Sequence, residues 1–506
     1  MFINNPIMWI DFPDPDVIRV GDNYYMVSTT MFVMPGGPIL KSRDLCHWEL
    51  VSYIFNTIED NAIYQLRDGK NAYGKGQWAT SLKYRNGMYY ACFMCHDLKK
   101  TYIYYTDNIE KTGWDRYEIN GSYHDMSFLF DDDGKPYLIY DNGDIKIVEL
   151  REDLSGIKEG GINQLLFSTP SENIMLRCEG CRAYKINGFY YLLFIEWPTD
   201  GNSRRRVVCY RSKALLGEYE RKILLDDDMG YQNQGVAQGA LIDSPQGNWY
   251  SILFQDHGAV GRIPYLLPVS WEDNWPVIGI NGKVPETFEV PLNKYEAKPL
   301  ITSDSFNHSE NKLDTCWEWN HNPEKDCWSF TERPGYLRLH TNSLAKDFLS
   351  ARNTLTQRTS GPGCSFTVEL CTEGMKAGDY AGLAALQGTY GMIGIRADKN
   401  GLKRILFTKK ASDGNQNEEE YILFSGQSVF LKIDFYFENS KDIAKFYFSK
   451  DGTEWKKLGS DLRMKYTLDL FIGYRIAIFN YSQIEAGGYA DFRNFTYNSN
   501  PTLKLL

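Results

Sequence analysis

Over the first 290 or so residues, short runs of alternating, aromatic-rich hydrophobic positions recur behind turns of Asn/Asp-Gly type. The copies are GDNYYMVSTT (21–30), RNGMYYACFM (85–94), DDGKPYLIY (132–140), INGFYYLLFI (186–195) and PQGNWYSILF (245–254). Alternation of this kind is the mark of a half-buried strand, and the turn residues supply the tight reversal before it. The steps between copies are about 50 to 65 residues, the length of a small all-strand unit, and repeats of that kind announce propeller blades. Five copies predict five blades. A second element, a turn followed by an outer strand, trails several of them: SRDLCHWEL (42–50), TDNIEKTGW (106–114) and SKALLGEYE (212–220). The repeat stops after WEDNWPVIGINGKVP (271–285), and PLNKYEAKPLITSDSF (291–306) reads as a linker. Beyond it, runs such as CSFTVELCT, YGMIGIRAD, VFLKIDFYF and YADFRNFTY have a different spacing and fit a β-sandwich. Helical periodicity is weak throughout. The expected fold is all-β: a five-bladed β-propeller over residues 1–295 and a jelly-roll-like accessory sandwich over 296–506, in which nothing looks catalytic.

Composition changes this picture little. Aromatic residues make up 15% of the chain, with 35 Tyr and 12 Trp; blade strands and sugar-binding platforms would each produce that surplus. The charge balance of 55 Lys+Arg against 65 Asp+Glu, −10 net, argues against nucleic acid, because phosphate binding needs clustered cations. The one basic run, Arg204-Arg205-Arg206, reads as a solvated loop. No stretch approaches 18 apolar residues, so no membrane span is expected, and the opening MFINNPIMWIDFPDPD lacks a secretion signal, which predicts a cytoplasmic protein. The pairs Cys92/Cys95 and Cys178/Cys181 have zinc-like spacing. Cys92 and Cys95 lie on a predicted strand, where i and i+3 face opposite ways, so both pairs read as buried thiols.

Inner strands of a propeller start beside its central pocket, so acids just upstream of them converge. Three qualify: Asp14 in Phe12-Pro13-Asp14-Pro15-Asp16, Asp125 in Tyr123-His124-Asp125-Met126-Ser127, and Glu179 in Arg177-Cys178-Glu179-Gly180-Cys181. The prolines flanking Asp14 stiffen its backbone, and Gly180 would allow a ligand to approach closely. All three hold what reads as the equivalent place in their repeats. Carboxyl groups on opposite sides of a bond are what hydrolysis of a sugar acetal requires.

In these segments the chain resembles glycoside hydrolase family 43. The resemblance is carried by DFPDPDVIRVGDNYYMVST, SYHDMSFLFDDDGKPYL, CEGCRAYKINGFYYLLF and FQDHGAVGRIPYLLPVSWEDNWP (254–276), and by a tail (303–339) similar to the start of the sandwich in that family's xylosidases. It implies an exo-acting, inverting β-xylosidase or α-L-arabinofuranosidase working on xylo- or arabino-oligosaccharides. Asp14 would be the base, Glu179 the acid, and Asp125 a third acid that raises the proton affinity of Glu179 and orients it. Inversion predicts roughly 6.5–9.5 Å between Asp14 and Glu179.

The resemblance further implies a sugar-binding role for Arg262, an axial position for His257 and a pocket wall at Trp78. Gln238, His96 and His124 are candidates to line the same space. Where many relatives carry aromatics after the first Ser-Thr, this chain has Ser28-Thr29-Thr30-Met31-Phe32, so Met31 and Phe32 become the candidate platform. No cofactor is needed for the chemistry. Asp304 and Asp491, near the two ends of the sandwich, are candidate ligands for a structural Ca²⁺. A homo-oligomer is compatible with the sequence. Two other readings compete. A retaining fructan hydrolase would show an Arg-Asp-Pro motif, which is absent. A silent sugar-binding propeller would have no need of all three acids.

Overall fold

The computed structural model describes residues 1–410 and 416–499. Among these the chain is all strand and loop, with four short 3-10 turns and no α-helix; no helix is long and apolar enough to cross a membrane. Five four-stranded antiparallel sheets follow one another in chain order. Their inner strands are Asp16–Val20, Ser81–Arg85, Ser127–Phe130, Ile174–Ile186 and Ala237–Asp243. These are blades 1 to 5, and the five aromatic repeats fall at or on the second strand of each.

The blades are latched edge to edge by one repeated contact. The Leu82 amide donates to Asp16, the Phe128 amide to Ser81 and the Ala183 amide to Ser127, at 2.8–3.1 Å. The Leu241 amide donates to the Tyr184 hydroxyl at 2.8 Å, and Arg19 pairs with Asp243 to join blade 1 to blade 5. Each of these amides faces away from its own sheet ladder, so an acceptor from the neighbouring blade is what satisfies it on burial. The ring is fastened again where Phe2–Asn4 pairs with Thr287–Glu289.

The C-terminal half is a sandwich of two antiparallel sheets. One of them runs past its own strands into the propeller: Glu318–Asn320 pairs with Val33–Met34, a strand that leaves blade 1 between its second and third members. Packing is shared as well. One apolar core runs from Leu253 and Ile263 of blade 5 into Trp317, Phe366 and Ile476 of the sandwich, and another from Phe32 and Phe55 of blade 1 into Phe348 and Tyr390. Burial on both sides of this seam makes the halves one packed body rather than two tethered ones.

Candidate active site

The inner strands begin around a cavity of about 320 Å³ on the axis, and Asp14, Asp125 and Glu179 all line it. Local backbone places them there. Asp14 and Asp125 have φ of 54° and 45°, left-handed values that Asp tolerates better than most residues. Each lies two positions before the latch residue of its blade, Asp16 or Ser127. In blade 4 that place belongs to Gly180 (φ 67°), so Glu179 stands one residue earlier than strict repeat equivalence predicts. The pairing of Ile174–Ile186 with Phe189–Pro198 slips on both sides of Glu179, and this bulge turns the carboxyl inward. Gly180 does not make room for a ligand: a Cβ there would come within 2.8 Å of the Gln238 side chain.

Each carboxyl group has a distinct setting. Asp14 is buried, accepting from Arg262 Nη1 at 2.8 Å and Thr29 Oγ1 at 2.7 Å, while the buried Arg182 reaches across the axis to its carbonyl at 2.9 Å. Asp125 is also buried. Burial, with the charges of Glu179 and Asp14 adding to it, pushes its pKa up to about 6 against the opposing pull of His124. Glu179 is the most open, its side chain 21% exposed. Its Oε2 accepts from Asn142 Nδ2 at 2.6 Å and faces His124 Nε2 at 3.3 Å. One donor atom each from His124, Asp125 and Glu179 lies within 4.8 Å of the others; the contact from His124 and the bond from Asn142 make this a hydrogen-bonded set.

Trp78, Gln238 and Arg262 line the cavity as expected from sequence. His257 does not: it sits behind the wall, stacked on Tyr231 and hydrogen-bonding Gln255 and Tyr265, and burial holds its pKa down to about 4. Met31 and Phe32 are corrections too. Both are fully buried away from the cavity, Met31 bridging to Gln77 and Phe32 packed on Tyr73 and His321, because the loop carrying them is drawn under the sandwich by the Val33–Met34 pairing. His96 lies behind Trp78 and His124.

The proposed Ca²⁺ ligands do not come together in a fitting site. Asp491 is buried and already held by Arg333 and Arg338, at 2.7–2.9 Å. Asp304 accepts from Trp317 Nε1, the Phe306 amide and His308. Its remaining neighbours, His308 and Asp314, offer one nitrogen and one exposed carboxylate where Ca²⁺ takes six to eight oxygens.

Several cavity residues carried no local signal. Arg205, read as part of a solvated run, lines the cavity, paired with Asp256 and lying over the Trp197 ring at 4.8 Å; burial and the neighbouring Arg262 lower its pKa to about 10. Its neighbours Arg204 and Arg206 are tied to Asp226 and Glu196. The sandwich, expected to be inert, closes the cavity with Tyr466, Leu468 and Phe471. Phe471 stacks obliquely on Trp78 (5.5 Å) and on the Arg262 guanidinium (4.7 Å). Asp11 anchors that wall, accepting from the Arg262 amide with one oxygen and the Gly473 amide with the other, both at 2.8 Å.

The propeller cavity, roofed by the sandwich, is lined by Asp14, Asp125 and Glu179, and by Asp256, which is paired with Arg205; carboxyl groups gathered on one pocket suit cleavage of a sugar acetal. Residues 3–276 match Glycosyl hydrolases family 43, and residues 303–498 match the β-xylosidase C-terminal concanavalin A-like domain. The chain belongs to family 43 and is a glycoside hydrolase. A β-xylosidase of Formosa agariphila is 28% identical over 98% of this chain and 90% of its own length. A non-reducing end α-L-arabinofuranosidase of Bacteroides ovatus is 29% identical over 67% of this chain and 65% of its own. Among solved structures, a bifunctional GH43-CE protein of Bacteroides eggerthii superposes with a TM-score of 0.93 at 43% identity. That match covers 99% of this chain, which spans 64% of the longer protein.

Proposed function

We propose that the protein is an exo-acting, inverting β-xylosidase or α-L-arabinofuranosidase that releases terminal xylose or arabinose from hemicellulose-derived oligosaccharides. The observation that carries this reading is the convergence of Asp14, Asp125 and Glu179, from three blades, on one cavity closed on its sandwich side by Tyr466, Leu468 and Phe471. A closed end admits the tip of a chain rather than its middle. The named relatives, a β-xylosidase and an arabinofuranosidase, support the sugar class.

In this reading Arg262 and Thr29 aim the Asp14 carboxylate at a water on the far face of the sugar. Asp14 takes that water's proton as the oxygen attacks the anomeric carbon, while Glu179 gives its proton to the departing oxygen. Asp125 offers an oxygen within 4.8 Å of the Glu179 carboxyl, close enough to help orient it. Trp78 and Phe471 supply an apolar wall, and Arg262 and Gln238 polar groups, for the sugar. All ten cysteines are unpaired, which supports a reducing, cytoplasmic setting.

The test is hydrolysis of an aryl β-xyloside and an aryl α-arabinofuranoside by wild type, Asp14→Ala and Glu179→Ala. Both variants are expected to lose at least about a hundredfold in kcat/KM on the preferred substrate. Full activity in either one removes that residue from its role.

A further inference from the structure

Both contacts that reach the Glu179 carboxyl from protein side chains converge on the same oxygen. Asn142 Nδ2 donates to Oε2 at 2.6 Å and His124 Nε2 stands 3.3 Å from it, whereas Oε1 accepts nothing from the described residues. A protonated carboxyl keeps its proton on one oxygen and accepts hydrogen bonds at the other. Two donors on Oε2 therefore leave Oε1 to hold the proton toward the cavity. Asn142 is a neutral donor. His124 is a titratable one, and its other nitrogen, Nδ1, is buried with no hydrogen-bond partner among the described residues, 3.9 Å from Asp125 Oδ1. The imidazole thus lies between two of the three carboxyl groups.

Building on the assignment of Glu179 as the acid, we infer that His124 is a positioning residue for it. Its Nε2–H fixes Oε2 so that Oε1 presents the proton to the leaving oxygen, and its positive charge offsets that of Asp125, setting the upper pH at which the acid works. The proton passes from Oε1 to the leaving oxygen as the glycosidic bond breaks; His124 keeps its own.

The surroundings fit a cationic imidazole. Asp125 adjoins it in the turn before Ser127–Phe130, Glu179 reaches it from blade 4 and Asp141 from just after Pro136–Tyr140. His96, backed by Asp97, packs on it from blade 2 with ring centroids 5.3 Å apart. Burial opposes the charge on His124, but Asp125 and the contact with Glu179 outweigh it and push its pKa up to about 9. Burial and the charge of His124 hold His96 down, so His96 does not compete for the proton. Arg205 also bears on Glu179 and Arg182 on Asp125, but His124 is the cation in contact with Oε2; removing a contacting cation favours the protonated form of a carboxyl, whereas a general acid works best when its proton affinity matches the working pH.

The experiment compares His124→Phe and His124→Gln with wild type. It records kcat/KM against pH on two substrates: an aryl β-xyloside, whose leaving group needs little protonation, and a β-linked xylo-disaccharide, whose leaving group needs it fully. In both variants the alkaline limb is expected to move up by about one pH unit. His124→Phe should lose about tenfold more rate on the disaccharide than on the aryl substrate. His124→Gln, which keeps a neutral donor, should recover part of the disaccharide rate while its limb stays shifted. Limbs at the wild-type pH in the variants, with equal losses on the two substrates, would reduce His124 to a structural role and overturn the inference. If His124→Phe does not fold, the limb of His124→Gln decides alone. Glu179→Ala run alongside separates the two layers: full activity there sinks the acid itself, while its inactivity combined with unshifted His124 limbs sinks only the role of His124.

Discussion

Single residues owe their roles here to burial and partners more than to type. Seven histidines illustrate it. His124, between Asp125 and Glu179, is driven toward its charged form, while His321 and His257 are held neutral. His321 is 1% exposed, its Nε2 accepts the Ala72 amide at 2.9 Å, and burial pushes its pKa down to about 3. In the unfolded chain a histidine titrates near ~6.5. Between about pH 6.5 and pH 4, then, the unfolded state binds more protons at His321 and His257 than the folded state does. Their contribution to stability is complete above that window and falls as pH drops through it. Asp125 and Asp442, both raised to about 6 by burial, work in the opposite sense below pH 6, because the folded state then takes up their protons first. The prediction isolates one site: denaturant midpoints measured from about pH 7 to about pH 4.5 should fall less steeply for His321→Gln than for wild type. An unchanged slope would show that His321 is not held neutral.

The acids themselves were legible in sequence because what aims each of them is local: prolines around Asp14, a repeat strand just downstream of Asp125 and Glu179. Arg205 was not legible. Three arginines in a row look alike, and only the fold sends Arg204 to the half-buried Asp226, Arg206 to the buried Glu196 and Arg205 into the cavity.

At the scale of elements, the blade is the unit the chain repeats, and the latch between blades is the contact that repeats with it. Asp16, Ser81 and Ser127 accept the amide of the next blade, and at the matching place in blade 4 stands Arg182, which reaches across the axis instead to the backbone of Asp14. The latch sets where each inner strand starts, hence where each acid points. Ser127→Ala would leave the buried Ala183 amide without its acceptor, at a cost of about 1–3 kcal/mol. A lowered denaturation midpoint is expected; an unchanged midpoint would mean the latch contributes nothing. Five blades could be counted from sequence because a blade's pattern lies within some 50 contiguous residues. The Val33–Met34 strand could not, since its partner, Glu318–Asn320, lies nearly 300 residues away and gives the short run no local mark. The same pairing explains why Met31 and Phe32, close to Asp14 in sequence, are not at the cavity.

Over the whole molecule, the sandwich is part of the cavity wall rather than an appendage. It extends a sheet into blade 1, shares two apolar cores with the propeller, and places Phe471 against Trp78 and Arg262 through the Asp11 anchor. Nothing in the sequence of residues 465–473 marks them as cavity wall, because what makes them so is contact with side chains some 200 or more positions away. What the assembled cavity is proposed to do is displace the leaving group with water from the opposite face in a single step, Asp14 and Glu179 acting from either side. The configuration of the first product reports that directly. Proton NMR during the first turnovers of an aryl β-xyloside should show α-xylose forming first, with the β anomer appearing only as the sugar equilibrates; β-xylose as the first-formed anomer would contradict the account.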